Sequence, residues 1–306
     1  MALLNLQAND THEVSRVQGY HRTKSIRTDA DASLKDSPKP PQNFGISTSP
    51  TFARMSGAAE WPSPPGTPEL PDDAIHVWRA SLAIDSTALQ RLQKTLADDE
   101  RARAERFIFE RDRKRFVAAR GILRDVLGRY LLCPPETIEF VYGPRGKPAI
   151  SKRGSRHPLC FNLAHSHGLA LIGIGRKREI GIDVELIRPE FAGEEIAKRY
   201  FSAKEIDELS RLPAELRTEG FFLCWTRKEA YIKARGDGLH IPLESFNVSL
   251  TPGLPAELNS ADHSRWSLRS LAPEPGYIAA VIAEGDGWRL RQFSWNPSGA
   301  SPNRVS

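Results

Sequence analysis

Two short runs hold the residue types best suited to chemistry. The first is Gly181-Ile182-Asp183-Val184-Glu185. The second begins forty residues after Glu185 and reads Trp225-Thr226-Arg227-Lys228-Glu229-Ala230-Tyr231-Ile232-Lys233. Together they supply three carboxylates and two lysines. Carboxylate oxygens suit a hard divalent cation such as Mg²⁺, which usually binds through one or two carboxylates plus substrate phosphates.

Spacing decides whether these groups can meet. The first run lies in the apolar, Gly-punctuated stretch 169–187, which predicts two β-strands joined by the charged turn Arg176-Lys177-Arg178-Glu179. Side chains two apart on a strand share a face, so Asp183 and Glu185 converge while Ile182 and Val184 point to the core. The second run lacks Gly and Pro and predicts a helix, on which Glu229 and Lys233, four apart, share a face. Taken singly, each pattern has a plainer reading. An Asp-x-Glu on a strand is commonly a solvated face, and a Glu–Lys pair at this spacing a surface salt bridge of roughly 0.3–0.5 kcal/mol. The combination and order are more specific.

The pair of runs resembles the signatures of the 4′-phosphopantetheinyl transferase superfamily, Gly-Ile/Val-Asp-Ile/Val-Glu and Trp-Ser/Thr-x-Lys-Glu-Ala/Ser-x-x-Lys, and is most similar to its long, surfactin-synthetase-activating (Sfp-like) group. Phe161-Asn162-Leu163-Ala164-His165-Ser166 resembles that group's Phe-Asn-x-Ser-His-Ser strand, with Ala164 where a Ser is usual. Gly146-Lys147-Pro148, the run 197–202, and Gly236-Asp237-Gly238-Leu239 with Pro242 and Phe246 also fall in register. The resemblance spans roughly residues 75 to 290.

It implies a reaction in which the phosphopantetheine arm of coenzyme A moves to a serine of an apo acyl or peptidyl carrier protein, releasing adenosine 3′,5′-bisphosphate. By motif position Asp183, Glu185 and Glu229 are the implied Mg²⁺ ligands, with Mn²⁺ an alternative that residue type does not separate. Glu229 is also the implied base, directly or through a metal-bound water. Lys233 would neutralise the bridging phosphate or assist the departing group, and Lys228 would contact the phosphates. Arg115 and His165 are the implied partners of the coenzyme A 3′-phosphate, with Lys147 near the adenine end; Arg103 and Arg106 are secondary candidates. Carrier contacts are expected within 191–222, where Lys198, Arg199 and Lys204 could meet an acidic docking helix.

Composition frames these expectations. The chain has 306 residues and a formal net charge of +5, which favours anionic partners. Cys133, Cys160 and Cys224 are odd in number, with no disulfide or metal spacing, so a reducing, cytoplasmic compartment is expected. No apolar run approaches the roughly 18–20 residues needed to span a membrane, and no secretory signal is evident. Residues 1–70 are polar and Pro-rich, which predicts a disordered tail. Met55 lies near its end, so residues 1–54 are expected to be dispensable.

The ordered part is expected to open with a strand over 75–82, followed by a helix capped by Asp85 or Ser86. A long helical region over 98–132 follows, broken near 109–111 and stopped by Pro134-Pro135. Strands are expected over 138–142, 159–163, 169–174, through the first signature, and over 246–250, 266–271, 277–283 and 288–293. Helices are expected over 194–200, 203–212 and the second signature. Gly236-Asp237-Gly238 reads as a turn. The order predicts an α+β fold. The resemblance adds two similar, pseudo-twofold subdomains, 71–180 and 181–295. Each packs a long helix on a small, largely antiparallel sheet, with the site in the cleft between them and a tail at 296–306. It also implies a monomer.

Two other classes compete. A metal-dependent nuclease would use Asp-x-Glu with a lysine two residues on, but that position is Ile187. A nucleic-acid-binding module would rest on 101–129, which holds ten Lys/Arg against four Asp/Glu. Its charges are interleaved and lack a recognised binding motif, so no nucleic-acid partner is expected. His165 and His167 share a strand face, but a zinc site lacks a third ligand nearby.

Overall fold

The computed structural model describes residues 61–63, 66–151, 159–236 and 241–297. It is α+β. Alternating apolar residues from Ala74 to Ser81 make β1, which is buried along most of its length. The Asp85 carboxylate then accepts the Ala88 amide at 2.8 Å and starts α1, Ser86–Lys94. The predicted helical region is two helices, α2 (Asp98–Glu105) and α3 (Glu110–Leu131). They part at 106–109, slightly before the expected break. Helix α3 ends where Leu132 turns left-handed, just ahead of Pro134-Pro135.

A short hairpin, β2 (Phe140–Tyr142) and β3 (Pro148–Ile150), leads to β4 (Leu159–Ser166), β5 (Leu169–Arg176) and β6 (Ile180–Leu186). Helices α4 (Glu194–Tyr200), α5 (Ala203–Arg211) and α6 (Ala214–Arg235) follow. The second signature is thus the C-terminal portion of a 22-residue helix. Residues β7 (Asn247–Val248), β8 (Leu258–Asn259), β9 (Trp266–Leu271), β10 (Tyr277–Glu284) and β11 (Arg289–Ser294) complete the order. The strand at β8 was not foreseen. Of the turn after the second signature, Gly236 takes φ 72° and caps α6, while 237–240 lie outside the described residues.

Two sheets carry the core. One has the order β11-β1-β5-β4 and the other β6-β10-β9. All their pairings are antiparallel except β1 with β11. Helix α3 covers the first sheet through Ala118, Ile122 and Val126 against Trp78 and Ile172. The opposite face of that sheet, with Val77 and Leu171, packs on Ile180, Ile182, Val184 and Val281 of the second. Helix α6 lies on the far side of β6, as Gly181 shows: a Cβ there would overlap the Ala230 carbonyl oxygen. The stack is therefore helix, sheet, sheet, helix. Strand alternation leaves the odd positions of β6 facing α6.

Packing begins before residue 71. Trp61 and Leu70 are buried, and the Ser294 amide donates to the Pro62 carbonyl at 2.9 Å. The expected tail therefore excludes at least these residues; 1–60 lie outside the described residues. Among the described residues no helix is long and apolar enough to cross a membrane, and the three cysteines are unpaired.

The basic stretch is less available than its composition suggests. Arg120 and Arg124 donate to the buried Glu100 carboxylate at 2.8 and 2.6 Å. Arg129 bonds Asp125 at 2.8 Å, and the Trp295 indole donates to the same carboxylate oxygen at 2.7 Å. These arginines hold α3 to its surroundings, so they add little to a field that a nucleic acid would meet.

Candidate active site

Close approach of α6 to β6 positions the site. Because Gly181 has no side chain, the helix backbone rests on the strand there. Asp183, two residues along the same face, then meets Lys233, whose ammonium lies 2.5 Å from Asp183 Oδ1. Glu229, one helical turn before Lys233, is 4.0 Å from the same ammonium. Glu185 continues the row, its Oε2 accepting the Ser166 hydroxyl at 2.7 Å. All three carboxylates are buried.

Among the described residues, the Lys233 ammonium bonds Asp183 and faces Glu229 within a cluster of three buried carboxylates. Among the described residues, Asp183 Oδ2 and Glu229 Oε1 are buried without a hydrogen-bond partner. Burial raises the pKa of Asp183 against the pull of Lys233. Burial, then the neighbouring Asp183 charge, raises that of Glu185. Burial also lifts Glu229, with Asp183 and Glu185 adding and Lys233 opposing, to about 7. At Lys233 burial disfavours the charge, but the carboxylates prevail and hold its pKa above the usual range. Among the described residues no group of three or more His, Cys, Asp and Glu side chains stands at metal-holding spacing; Lys233 sits on Asp183 instead. The two unpaired, buried carboxylate oxygens nevertheless suit a hard cation.

The expected coenzyme A contacts divide. Burial, with the Lys233 and Arg115 charges adding, pushes His165 down to about 4, so its imidazole is neutral near pH 7. Positive charge at that corner comes from Lys233 and then Arg115 at His165, and from Arg188, Arg115 and Arg111 at His167; the Arg115 field also reaches Tyr277. Arg115 is part-exposed and only 3.9 Å from Asp112. Lys147 donates to Glu179 at 2.7 Å and to the Ala234 carbonyl at 2.8 Å, and so fastens its loop to the end of α6.

Lys228 requires a correction. Its ammonium is fully buried and donates to the Leu243 and Phe246 carbonyls, both at 2.7 Å, with Glu205 at 2.8 Å. Three donors meet three acceptors, which leaves none for a phosphate. Its role is structural. Arg227 is also turned inward, bonding Ser249 and Ser270 hydroxyls at 2.9 and 2.8 Å.

Sequence reasoning missed Ser166 as a site-building residue and Asn162 as a structural tie between strands outside the site. Asn162 Oδ1 accepts the Ile182 amide at 2.9 Å. The signal was present: on β4, Asn162 and Ser166 stand four apart and so share a face, with apolar Ala164 between them. Of the carrier-facing candidates, Lys198 is exposed and lies 3.4 and 3.3 Å from Glu194 and Glu195.

The arrangement of acids and a lysine between a strand and a helix of an α+β fold fits group transfer from a phosphate anhydride. Comparison with known proteins makes the class definite. The family profile "4′-phosphopantetheinyl transferase superfamily" matches residues 179–282, and "4′-phosphopantetheinyl transferase, N-terminal" matches 77–174. The two spans meet at the turn between β5 and β6. The chain is 45% identical over 228 residues to the 4′-phosphopantetheinyl transferase HetI of Nostoc sp. strain PCC 7120, covering 74% of this chain and 94% of that one. It is 32% identical over 195 residues to the 4′-phosphopantetheinyl transferase Sfp of Bacillus subtilis strain 168, covering 63% and 84%. A third relative, the putative 4′-phosphopantetheinyl transferase slr0495 of Synechocystis sp., is 38% identical over 190 residues, 61% of this chain and 76% of its own. The chain belongs to the 4′-phosphopantetheinyl transferase superfamily.

Proposed function

We propose that this transferase takes the phosphopantetheine arm from coenzyme A and places it on a serine of an apo acyl or peptidyl carrier protein, with Asp183, Glu185 and Glu229 holding Mg²⁺ or Mn²⁺. The observation that carries this reading is the buried Asp183–Lys233–Glu229 cluster with two unpaired carboxylate oxygens. A divalent cation there supplies neutralisation of pyrophosphate charge.

The chain's own residues have separable tasks. The serine oxygen bonds to the phosphorus that bears pantetheine, and the bond from that phosphorus to the bridging oxygen breaks. Glu229 takes the serine proton. Lys233 offsets the charge that grows on the bridging oxygen as adenosine 3′,5′-bisphosphate leaves. Arg115 binds the 3′-phosphate as a charge-assisted donor, and neutral His165 beside it adds a hydrogen bond. Lys147 borders the adenine end while keeping its place against α6.

In this reading coenzyme A lies between the halves 71–180 and 181–295, with β11 lent to the first sheet. The protein works as a cytoplasmic monomer without nucleic acid or membrane. The carrier approaches along 191–222, where exposed Lys204 and Lys198 complement an acidic helix. The test is intact-mass spectrometry of apo carriers incubated with the protein, coenzyme A and Mg²⁺, with an EDTA control. One added phosphopantetheine, lost with EDTA, is expected. Glu229→Gln should stay folded and lose transfer; near-wild-type transfer by that variant removes Glu229 from the mechanism.

A further inference from the structure

Strands β4 and β6 belong to different sheets, yet side chains tie them together. Asn162 Oδ1 accepts the Ile182 amide at 2.9 Å, and four residues on, Ser166 Oγ accepts the Leu186 amide at 3.2 Å. Both strands advance by four residues between these bonds, so they run in the same direction. Two polar side chains thereby satisfy the buried amide of Ile182 and the part-buried amide of Leu186.

This accounts for Asn162 but not for all that Ser166 does. A serine hydroxyl has one proton, and here it goes to Glu185 Oε2 at 2.7 Å. His167 Nδ1 lies farther off, at 3.4 Å. Ser166 is completely enclosed. It grips the chain on both sides of one peptide bond, at the Glu185 carboxylate and the Leu186 amide. The hydroxyl rotor is therefore used in both senses, as acceptor from the backbone and donor to the acid. One oxygen of Glu185 is thereby held in a fixed direction beside Asp183.

We infer that Ser166 is a positioning residue for the transfer: its hydroxyl orients Glu185 toward the divalent cation that the acidic cluster takes. The inference rests on the cation reading above. Groups that bond a metal-ligating carboxylate commonly alter metal affinity when removed, by about 10- to 100-fold. β4 also bears His165 on its opposite face, so one strand aligns the acidic cluster on one side and the Arg115 corner on the other.

The experiment is Mn²⁺ titration of the full chain, followed by the loss of the free-ion electron paramagnetic resonance signal. Ser166→Ala and the similar-sized Ser166→Cys are compared with wild type, and Asn162→Ala serves as control. The Ser166 variants should weaken Mn²⁺ binding about tenfold or more. The metal concentration for half-maximal transfer should rise in step, with kcat at saturating metal retained. Asn162→Ala should lower the melting temperature and leave Mn²⁺ affinity as in wild type. Wild-type affinity in both Ser166 variants overturns the inference. A wild-type protein that takes up no Mn²⁺ overturns the cation reading itself, which distinguishes the two failures.

Discussion

Gly181 and Ala230 are in backbone contact: a Cβ at 181 would overlap the Ala230 carbonyl oxygen and come within 2.5 Å of the Ala234 nitrogen. The glycine of the first signature is thus a spacing device that lets the second signature settle on the strand. Gly181→Ala must lift α6 away from β6, separating Asp183 from Lys233. A loss of about 1–3 kcal/mol in urea unfolding is expected, as for other overpacked interiors, together with weakened Mn²⁺ uptake. An alanine variant with wild-type stability would show that the helix can retreat freely.

If the acids hold a cation as proposed, Lys233, paired with Asp183, competes with it. Lys233→Met should therefore move two measurements in opposite directions. Mn²⁺ binding should tighten, because the acids lose their internal partner. Transfer per turnover should fall by about 10²–10³-fold, the range for losing one group that stabilises developing charge. Single-turnover mass spectrometry and metal titration read the two effects separately. A fall in both would make Lys233 a scaffold for the acids.

Lys228 belongs to the fold. Removing one member of a buried ion pair costs about 3–5 kcal/mol, so Lys228→Met should be strongly destabilised in urea. Coenzyme A affinity of the folded fraction should be unchanged, as calorimetry would show. Glu205 also accepts the Ser202 and Val248 amides at 2.8 Å each. Adding Glu205→Leu should therefore recover only part of the stability.

His76 predicts an acid limit. It is enclosed beside Tyr130, 2.9 Å from the phenol oxygen, with Phe293 edge-on. Burial, with Arg291 adding, lowers it to about 4, against about 6.5 when unfolded. With the folded value depressed, the unfolded chain binds the extra proton first as pH falls. Stability held above pH 6.5 is thus withdrawn down to about pH 4. Melting temperatures across that window should fall less steeply for His76→Gln than for wild type. Parallel slopes would place the acid sensitivity elsewhere.

Deleting 1–54, so that the chain starts at Met55, tests whether those residues are dispensable; the melting temperature and transfer should be unchanged. Deleting through Leu70 should lower the melting temperature, because Trp61 stacks under Arg79, 5.3 Å from its guanidinium carbon, and Leu70 joins the first core.

The elements were legible where local pattern suffices. Alternation marked β1, an apolar, Gly-punctuated run marked β5 and β6, Asp85 or Ser86 marked the start of α1, and the signatures brought Asp183, Glu229 and Lys233 together. Lys228 was misplaced although a signal existed. It stands three residues after Trp225 and four before Ile232, on a stripe that also includes Phe221, and all are buried. A motif position was allowed to outweigh that helical face. The hydroxyl of Ser166 and the amide of Leu186 meet across a fold-level junction, and neither residue's neighbours in the chain announce it. The pairing of β1 with β11 is likewise invisible to local pattern, for both read simply as strands.

That pairing orders events in time. β1 is the first strand among the described residues, yet its parallel neighbour is β11, Arg289 to Ser294. Phe293 and Trp295 then enter the core beneath α3. During synthesis on the ribosome, the half that carries Arg115 and His165 waits for β11 to emerge before its sheet is complete. A nascent chain cut short before β11 would hold every signature residue and still lack a finished wall against which to bind.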